Sequence, residues 1–262
     1  MNVAISASAF TVRFNFHGSL SFFLRRKDRA EPITKLLREK TSVKDAIESC
    51  GVPHPEVDLI CCDGQPVSFE HCLVTDAIVD VHGVAGSPAK PGEGLQQRRV
   101  TKFVADGHLG KLTRDLRLFG FDVLYSPDAS DSSLAASCCL EDRALLTRDR
   151  CLLMHKIVRH GYCPRSHDPA EQIIEVMRRF DLAELVAPYR RCLQCNGLLF
   201  KVSKAEVFDQ LEPLTKIYYE DFRRCSQCGK IYWPGSHFGK LETRLEKIRD
   251  QLNPKSKIEN RK

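Results

Sequence analysis

Two pairs of cysteines have the spacing of a metal site: Cys192 with Cys195, and Cys225 with Cys228. Two thiolates separated by two residues fit on one tight turn, and a tetrahedral metal needs two such turns. The 29 residues between the pairs are enough for a small lobe built on a hairpin. The pattern predicts a structural zinc ribbon, in which four thiolates fill the coordination shell of Zn²⁺ and leave no catalytic position.

Three aspartates have positions that suit a second kind of metal. Asp106 directly follows the predicted strand 102–105, Asp149 follows Leu145-Leu146-Thr147-Arg148 in the same way, and Asp131 opens a predicted helix. In an open parallel sheet, binding sites form at the carboxyl ends of the strands. Converging carboxylates are ligands that suit Mg²⁺ or Mn²⁺, and such an ion activates water for the cleavage of a phosphodiester.

Each aspartate also has a simpler interpretation. Asp131 before Ser132 and Ser133 is typical of a helix N-cap, and Asp149 in Thr-Arg-Asp-Arg is typical of a turn. The remaining acids of this region are expected to be solvated charges on helices or loops: Asp115, Asp122, Asp128 and Asp142.

Three other side chains are candidates for contact with a substrate. Arg117, in the helix after Asp106, is the candidate phosphate clamp, although a helix-face arginine can simply cover apolar surface. The turn Trp233–His237 follows the second cysteine pair and could direct His237 towards the acids. Trp233 is either a platform for base stacking or, as we prefer, the residue that packs the ribbon onto its neighbour.

The elements before residue 86 follow a β-grasp order. Ala9–Phe16 alternates like a strand, Ile33–Leu37 is a possible second strand, and Ser42 or Thr41 caps a short helix. Two further strands, Val57–Cys62 and Ala77–His82, complete the pattern. The Gly- and Pro-containing stretch that follows is typical of a linker.

Beyond the linker, short apolar strands alternate with helices, which favours a parallel α/β sheet. Helices are predicted over 109–119, 132–139, 152–160, 170–180 and 240–252. The predicted organisation is a β-grasp domain at 1–86, a linker at 87–100, an α/β core at 101–189, a zinc ribbon at 190–238, and a C-terminal helix with a basic tail at 239–262.

Composition narrows the class of protein. The 262 residues carry a net charge of +6, which is compatible with nucleic acid as a partner but does not prove it. Apart from the two pairs, the 12 cysteines show no disulfide spacing, which favours a reducing cytoplasm. No apolar run is long enough to predict a membrane span, and no clean signal peptide is present.

The stretches Phe103–Leu112, Leu116–Asp122 and Leu145–Arg150, the two cysteine pairs and Trp233–His237 together resemble the Mut-seven C-terminal RNase family. The resemblance runs from about residue 101 to 250. It implies a PIN-like α/β nuclease with an appended zinc ribbon, in which Asp106, Asp131 and Asp149 bind the catalytic ion. One departure lies in the first helix, where Asp115 replaces an aromatic residue of the family.

The N-terminal unit resembles the ubiquitin-like domain fused to such nucleases, on Gly51–Val57 and Asp63–Val67. Such domains are similar to the sulfur carriers MoaD and ThiS, which act through a free C-terminal Gly-Gly. Here the chain continues past Gly83, so the resemblance implies an interaction or RNA-docking role instead.

The leading hypothesis is a cytoplasmic, Mg²⁺- or Mn²⁺-dependent ribonuclease acting on RNA, expected to be single-stranded, with Arg117 and His237 contacting phosphate. The alternative is a non-catalytic RNA-binding adaptor, in which a degenerate nuclease domain and the β-grasp module recruit a protein partner. No membrane association is expected.

Overall fold

The computed structural model describes residues 9–90, 92–236 and 238–252. These residues form two compact units. The first consists of the residues up to 98 together with 147–163, and the second of 99–146 together with the residues from 164 onward. The first boundary lies close to the predicted linker, but the return of 147–163 to the first unit was not foreseen. The predicted basic tail from Asn253 lies outside the described residues.

The N-terminal sheet has the predicted β-grasp architecture. Its five strands run in the order β2-β1-β7-β4-β5, with β1 and β7 parallel and the other neighbours antiparallel. Strands β3 and β6 form a separate antiparallel pair, and Ser42 caps α1 by accepting the Asp45 N–H at 3.0 Å. The elements are β1 Phe10–His17, β2 Ile33–Leu37, β3 Thr41–Ser42, α1 Val43–Glu48, β4 Val57–Cys62, β5 Gln65–Val67, β6 Cys72–Leu73 and β7 Ala77–Gly83.

Alternation along the strands explains why this sheet forms. In β1, Phe10, Val12 and Phe14 are buried while the residues between them are exposed. Val79 and Val81 of the parallel partner β7 are buried in the same way. One face of the sheet therefore supplies an apolar layer against α1, as period-two patterning requires.

The end of the predicted linker is held in place by a buried carboxylate. Asp58 is 1% exposed, its backbone carbonyl accepts the Leu95 N–H at 2.7 Å, and its side chain accepts the Gln96 N–H at 3.2 Å. Arg98 pairs with the same carboxylate at 3.3 Å. A Cβ on Gly94 would lie 2.6 Å from Asp58 Oδ1, so only glycine permits this approach. Residues 94–98 are thus part of the first unit.

The second unit contains the predicted parallel sheet. Strand β8 (Lys102–Ala105) lies between β9 (Asp122–Tyr125) and β10 (Ala144–Leu146), and both pairings are parallel. Helix α2 (Gly110–Leu118) connects β8 to β9, and α3 (Asp131–Glu141) connects β9 to β10. Phe103 and Leu145 are fully buried within these short strands, as expected for strands covered on both faces.

Residues 147–163 depart from the prediction of a helix over 152–160. Helix α4 covers only Arg150–Leu153, and the short strand β11 (Gly161–Tyr162) follows. The His54 ring contacts the Val158 carbonyl at 2.6 Å, and the Cys163 N–H donates to Glu56 Oε1 at 2.8 Å. Both partners lie in the segment before β4, so Val158 and Cys163 are held by tertiary contacts, which can override a helical pattern.

The C-terminal part consists of α5 (Pro169–Arg179), the ribbon and α8 (Phe238–Leu252). The ribbon sheet is antiparallel in the order β12-β13-β14 and has a small core of its own around Val207, Leu211 and Phe222. Its elements are β12 Leu199–Val202, α6 Lys204–Val207, α7 Pro213–Tyr218, β13 Phe222–Cys225 and β14 Ile231–Tyr232.

Helix α8 is fastened to α2 by an ion pair. Arg244 donates to both carboxylate oxygens of Asp115, at 2.8 and 2.5 Å, and Leu245 and Ile248 bury the apolar side of the helix. Burial raises the pKa of Asp115, against the lowering effect of Arg244. The expectation that Asp115 is a solvated charge is therefore wrong, because a bidentate arginine compensates its burial.

No helix among the described residues is long and apolar enough to cross a membrane.

The hydrogen bond from Cys163 to Glu56 predicts a measurable contribution to stability. Glu56 is 3% exposed, so Glu56→Ala leaves the Cys163 N–H without that acceptor. We expect the free energy of unfolding to fall by about 1–3 kcal/mol in urea denaturation. Glu39→Ala, at an exposed position, is the control and should change stability by less than about 0.5 kcal/mol. An equal effect of the two variants would contradict the anchoring role of Glu56.

Candidate metal centre and acidic edge

The four predicted cysteines come together in the structure. Their Sγ atoms all lie within 4.8 Å of one another, with Cys192 and Cys228 separated by 3.7 Å and Cys195 and Cys225 by 3.4 Å. Four sulfurs at about 2.3 Å from a tetrahedral Zn²⁺ would be about 3.8 Å apart. The donor set and its spacing therefore fit zinc, and the four cysteines are the residues that would hold it.

Local backbone geometry prepares this site. The Asn196 N–H donates to the Cys192 carbonyl at 3.0 Å, and Asn196 itself has a φ of +73°. Asparagine tolerates this left-handed conformation better than most residues. A Cβ on Gly197 would lie 2.7 Å from Cys225 Sγ, so glycine is needed where the two turns meet. We call residues 192–196 the first knuckle.

Hydrogen bonds favour the thiolate form at Cys192. The Tyr232 hydroxyl lies 3.1 Å from Cys192 Sγ. Burial raises the pKa of Cys192, but bonds from Tyr232 and from backbone N–H groups of the knuckle outweigh it and lower the pKa to about 6. A thiolate is the form that ligates a metal, so this environment suits zinc binding.

Arg117 joins α2 to the first knuckle. It is 4% exposed, and it donates to the Val123 carbonyl through Nε at 3.1 Å and Nη2 at 2.7 Å. Nη1 donates to the Gln194 carbonyl at 2.8 Å. These contacts give Arg117 a structural role in place of the predicted phosphate clamp, because its N–H groups are directed at buried carbonyls.

Asp122 completes the attachment of the knuckle. Its Oδ1 accepts from Arg143 at 2.7 Å and from Asn196 at 2.8 Å, and Arg191 lies 3.1 Å from its Oδ2. The Val123 N–H donates to Asn196 Oδ1 at 3.0 Å.

Burial raises the pKa of Asp122, but Arg143, Asn196 and Arg191 outweigh this effect and lower the pKa. The network is strongest with Asp122 ionised and weakens as the pH falls through its pKa. Asp122 is therefore not the solvated charge that was predicted.

Asp106 lies at the carboxyl edge of the parallel sheet. It directly follows β8, and its N–H donates to the carbonyl of Leu146, the last residue of β10, at 3.0 Å. Its side chain accepts the His108 N–H at 3.3 Å and so caps the turn that leads into α2. The predicted position at a strand end is thus observed, together with a capping role.

The loop after β9 lies against this turn. The Tyr125 hydroxyl donates to the Gly107 carbonyl at 2.9 Å. A Cβ on Gly107 would lie 2.4 Å from the Pro127 carbonyl oxygen, and one on Gly110 would lie 2.7 Å from Tyr125 Oη. Both glycines of the Asp-Gly-His-Leu-Gly motif therefore permit a close approach of the β9–α3 loop to Asp106. The sequence singled out Asp106 but not Tyr125, whose contact is long-range.

Asp131 is the first residue of α3, not its N-cap. Ser130 is the N-cap, since its Oγ accepts the Ser133 N–H at 3.3 Å. Asp131 is exposed and takes part in no hydrogen bond or ion pair among the described residues. Its carboxylate is therefore not used in capping, contrary to the simpler interpretation of the sequence.

Asp149 belongs to the first unit and caps α4. Its Oδ1 accepts the N–H groups of Cys151 at 2.7 Å and Leu152 at 3.1 Å. The next residue, Arg150, donates to the Phe23 carbonyl at 2.8 Å and lies 5.3 Å from the centroid of that ring. The turn that carries Asp149 is thus held to the β-grasp sheet.

The described residues contain one group of at least three His, Cys, Asp or Glu side chains with ligand atoms within 4.8 Å of one another, and it is the four cysteines. Of the three predicted aspartates, Asp106 and Asp131 lie in the second unit and Asp149 lies in the first. His237 lies outside the described residues. Trp233, its neighbour in the predicted turn, is 38% exposed and lines a cavity in the second unit.

Comparison with family models gives two matches. Residues 101–245 match the Mut7-C RNAse domain, and residues 9–85 match the Mut7-C ubiquitin domain. The first match alone covers more than half of the chain. The search of curated proteins found no match.

Zinc loading should depend on each of the four thiolates. We expect Cys228→Ser to lower bound zinc well below one ion per chain and to change the Trp233 fluorescence spectrum, because structural zinc contributes directly to folding. Metal content by mass spectrometry checks this. Cys139→Ser is the matched control, since this exposed cysteine lies on α3 away from the four ligands. Full zinc content in Cys228→Ser would refute the site.

The structural role of Arg117 can be separated from phosphate binding. Arg117→Lys keeps the charge but cannot donate to the carbonyls of Val123 and Gln194 together. We expect unfolding free energy to fall by about 2 kcal/mol. The exposed Arg114→Lys should change it by less than about 0.5 kcal/mol. Unchanged stability in Arg117→Lys would contradict the role assigned here.

Proposed function

The chain belongs to the Mut7-C RNAse domain family, and on that premise we propose that it is a metal-dependent ribonuclease that hydrolyses RNA phosphodiester bonds. The observation that carries the proposal is the family match over 101–245, a span that includes Asp106, Asp131 and Asp149. The position of Asp106 directly after β8 supports it, since sites of parallel sheets lie at that edge.

Asp106, Asp131 and Asp149 are the proposed ligands of a Mg²⁺ or Mn²⁺ ion. Their carboxylate oxygens are donors of the kind that these ions prefer, and Asp131 and Asp149 are exposed. When bound, such an ion supplies an activated water and neutralises charge on the phosphate.

The capping bonds of two aspartates support a positioned site. Two backbone N–H groups fix one oxygen of Asp149, and one N–H group contacts Asp106. A carboxylate held in this way loses little freedom when it binds a ligand, which is the general advantage of a preorganised site.

Hydrolysis adds the water oxygen to phosphorus, breaks one P–O bond to the adjoining ribose, and passes a proton to the ribose oxygen that leaves.

Charge and thiol content support the proposed partner and compartment. The net charge of +6 suits a polyanion, and we propose RNA, single-stranded at the site of cleavage. None of the 12 cysteines, all of which are among the described residues, forms a disulfide, which suits a reducing compartment such as the cytoplasm. The Mut7-C ubiquitin domain is the proposed site for a protein partner.

One observation favours the second candidate, a non-catalytic RNA-binding adaptor. Asp106 and Asp149 each cap a helical turn, so both carboxylates already have a structural role that needs no metal ion. An adaptor would keep these caps for stability alone and would bind RNA without cleaving it.

The two candidates differ in their response to metal. We expect zinc-replete protein, freed of other divalent ions, to cleave end-labelled single-stranded RNA only after Mg²⁺ or Mn²⁺ is added. Asp106→Asn and Asp149→Asn should each lower the rate at least about 100-fold, the usual cost of removing one group that stabilises the transition state.

Asp142→Asn is the matched control for these variants. Asp142 is exposed at the end of α3 with a φ of +50°, a conformation that asparagine also tolerates. The Asp142→Asn variant should retain full ribonuclease activity. Cleavage that persists in both Asp106→Asn and Asp149→Asn would refute the ligand assignment, whereas tight RNA binding without cleavage at any metal concentration would favour the adaptor.

A further inference from the structure

A cavity of about 380 Å³ lies between the ribbon strands and α8, within the second unit. Its size is at the lower end of the range for pockets that bind small molecules, about 300–1,000 Å³. The candidate ligands of the proposed metal centre are not among the residues that line it, so it is a separate feature.

Aromatic side chains form much of the wall. Trp233, Tyr232, Tyr189 and Phe238 all line the cavity, and the rings of Tyr189 and Phe238 stack with their centroids 5.0 Å apart. The Tyr232 hydroxyl is engaged with a zinc-site sulfur, which restricts its ring. Fixed aromatic faces of this kind are the usual platforms for unpaired nucleobases.

The turn after β14 fixes the orientation of Trp233. The Gly235 N–H donates to the Trp233 carbonyl at 2.8 Å, which closes a tight turn. A Cβ on Gly235 would lie 2.8 Å from Trp233 Nε1, so the glycine allows the indole to fold back over this turn. Trp233 nevertheless remains 38% exposed, which leaves part of its surface accessible from the cavity. Trp233 therefore forms part of the wall of the cavity.

The charge of the cavity is positive. Lys201, Arg191 and Arg223 line it, and Asp221 is the acid among its lining residues. Arg191 is paired with the half-buried carboxylate of Asp122, and the Lys201–Asp221 pair at 3.4 Å is exposed and therefore weak. Arg223 has no carboxylate partner among the described residues, and its Nη1 donates to the Tyr189 carbonyl at 2.9 Å. The cations thus exceed the acids where an anion could enter.

Aromatic faces next to cations that outnumber the acids match one chemical class best. A nucleotide offers a planar base for stacking and a phosphate for the cations, and unpaired bases of RNA are the ones that can leave their stack. We propose that this cavity binds an unpaired nucleotide of an RNA strand, with the base against Trp233 and the phosphate facing Lys201 and Arg223. The proposal rests on the proposed function for the identity of the strand, but its site is distinct from the aspartates.

The chain provides its own probe, because Trp233 is its single tryptophan. Full-length, zinc-replete protein without Mg²⁺ or Mn²⁺ is titrated with adenosine monophosphate and with an eight-nucleotide single-stranded RNA. We expect saturable quenching of the Trp233 fluorescence by both. No saturable quenching by either probe would overturn the proposal, as would equal quenching by a polyglutamate peptide, which would favour a protein ligand.

Two matched pairs of variants test the geometry, with RNA affinity measured by fluorescence anisotropy of labelled RNA. Trp233→Ala is compared with Phe200→Ala, since Phe200 is 56% exposed on β12 but does not line the cavity. Arg223→Glu is compared with Arg224→Glu, because these neighbours on β13 point to opposite faces of the ribbon sheet. We expect the first member of each pair to weaken binding about tenfold or more, and the second to weaken it at most twofold.

Zinc content confirms that each variant is folded before its affinity is compared. Equal losses within both pairs would overturn the proposal. The cleavage assay on the same samples separates it from the proposed function. Metal-dependent cleavage without nucleotide binding in the cavity would support the ribonuclease and refute the cavity proposal. Nucleotide binding in the cavity without cleavage would support the cavity proposal and refute the ribonuclease.

Discussion

The second unit depends on a small set of buried hydrogen bonds around Asp122 and Val123, at the start of β9. Arg117 and Asn196 together bind the Val123 peptide group, and Asp122 holds Asn196 from the other side. Every one of these bonds connects the first knuckle, or the helix beside it, to a strand of the parallel sheet. Because buried polar groups are costly when unpaired, the knuckle has essentially one position in which all of them are satisfied.

The position of the first knuckle determines where the ribbon strands lie in the second unit. The first knuckle is fixed to β9, Asp115 with Arg244 fixes α8 to α2, and a Zn²⁺ ion held by the four cysteines would join the two cysteine pairs. The ribbon strands and α8 are therefore both anchored to the same α/β core, and the cavity between them has a defined shape. With four thiolate ligands, a zinc ion at this site would be a structural support and not a participant in chemistry.

Local patterns in the sequence were sufficient for the cysteine site, for most strands, and for Asp106 at a strand end, because each depends on neighbours only a few residues away. Arg117, Asp122 and Asp115 were misjudged because their partners lie about 70 to 130 residues further along the chain. From the sequence alone, a charged residue on a helix is predicted to face solvent, because the distant residue that pairs with it is not known. The short length of α4 was missed as well, since the bonds that hold Val158 and Cys163 come from His54 and Glu56, 104 and 107 residues earlier in the chain.

The pairing of residues 147–163 with the β-grasp sheet also has a consequence for biosynthesis. His54 and Glu56 are made 104 and 107 residues before their partners Val158 and Cys163. During translation, His54 and Glu56 therefore emerge before Val158 and Cys163, and the first unit cannot be completed until much of the second has been made. Contacts of such high sequence separation slow folding, so the order of synthesis couples the maturation of the ubiquitin-like domain to that of the turn bearing Asp149.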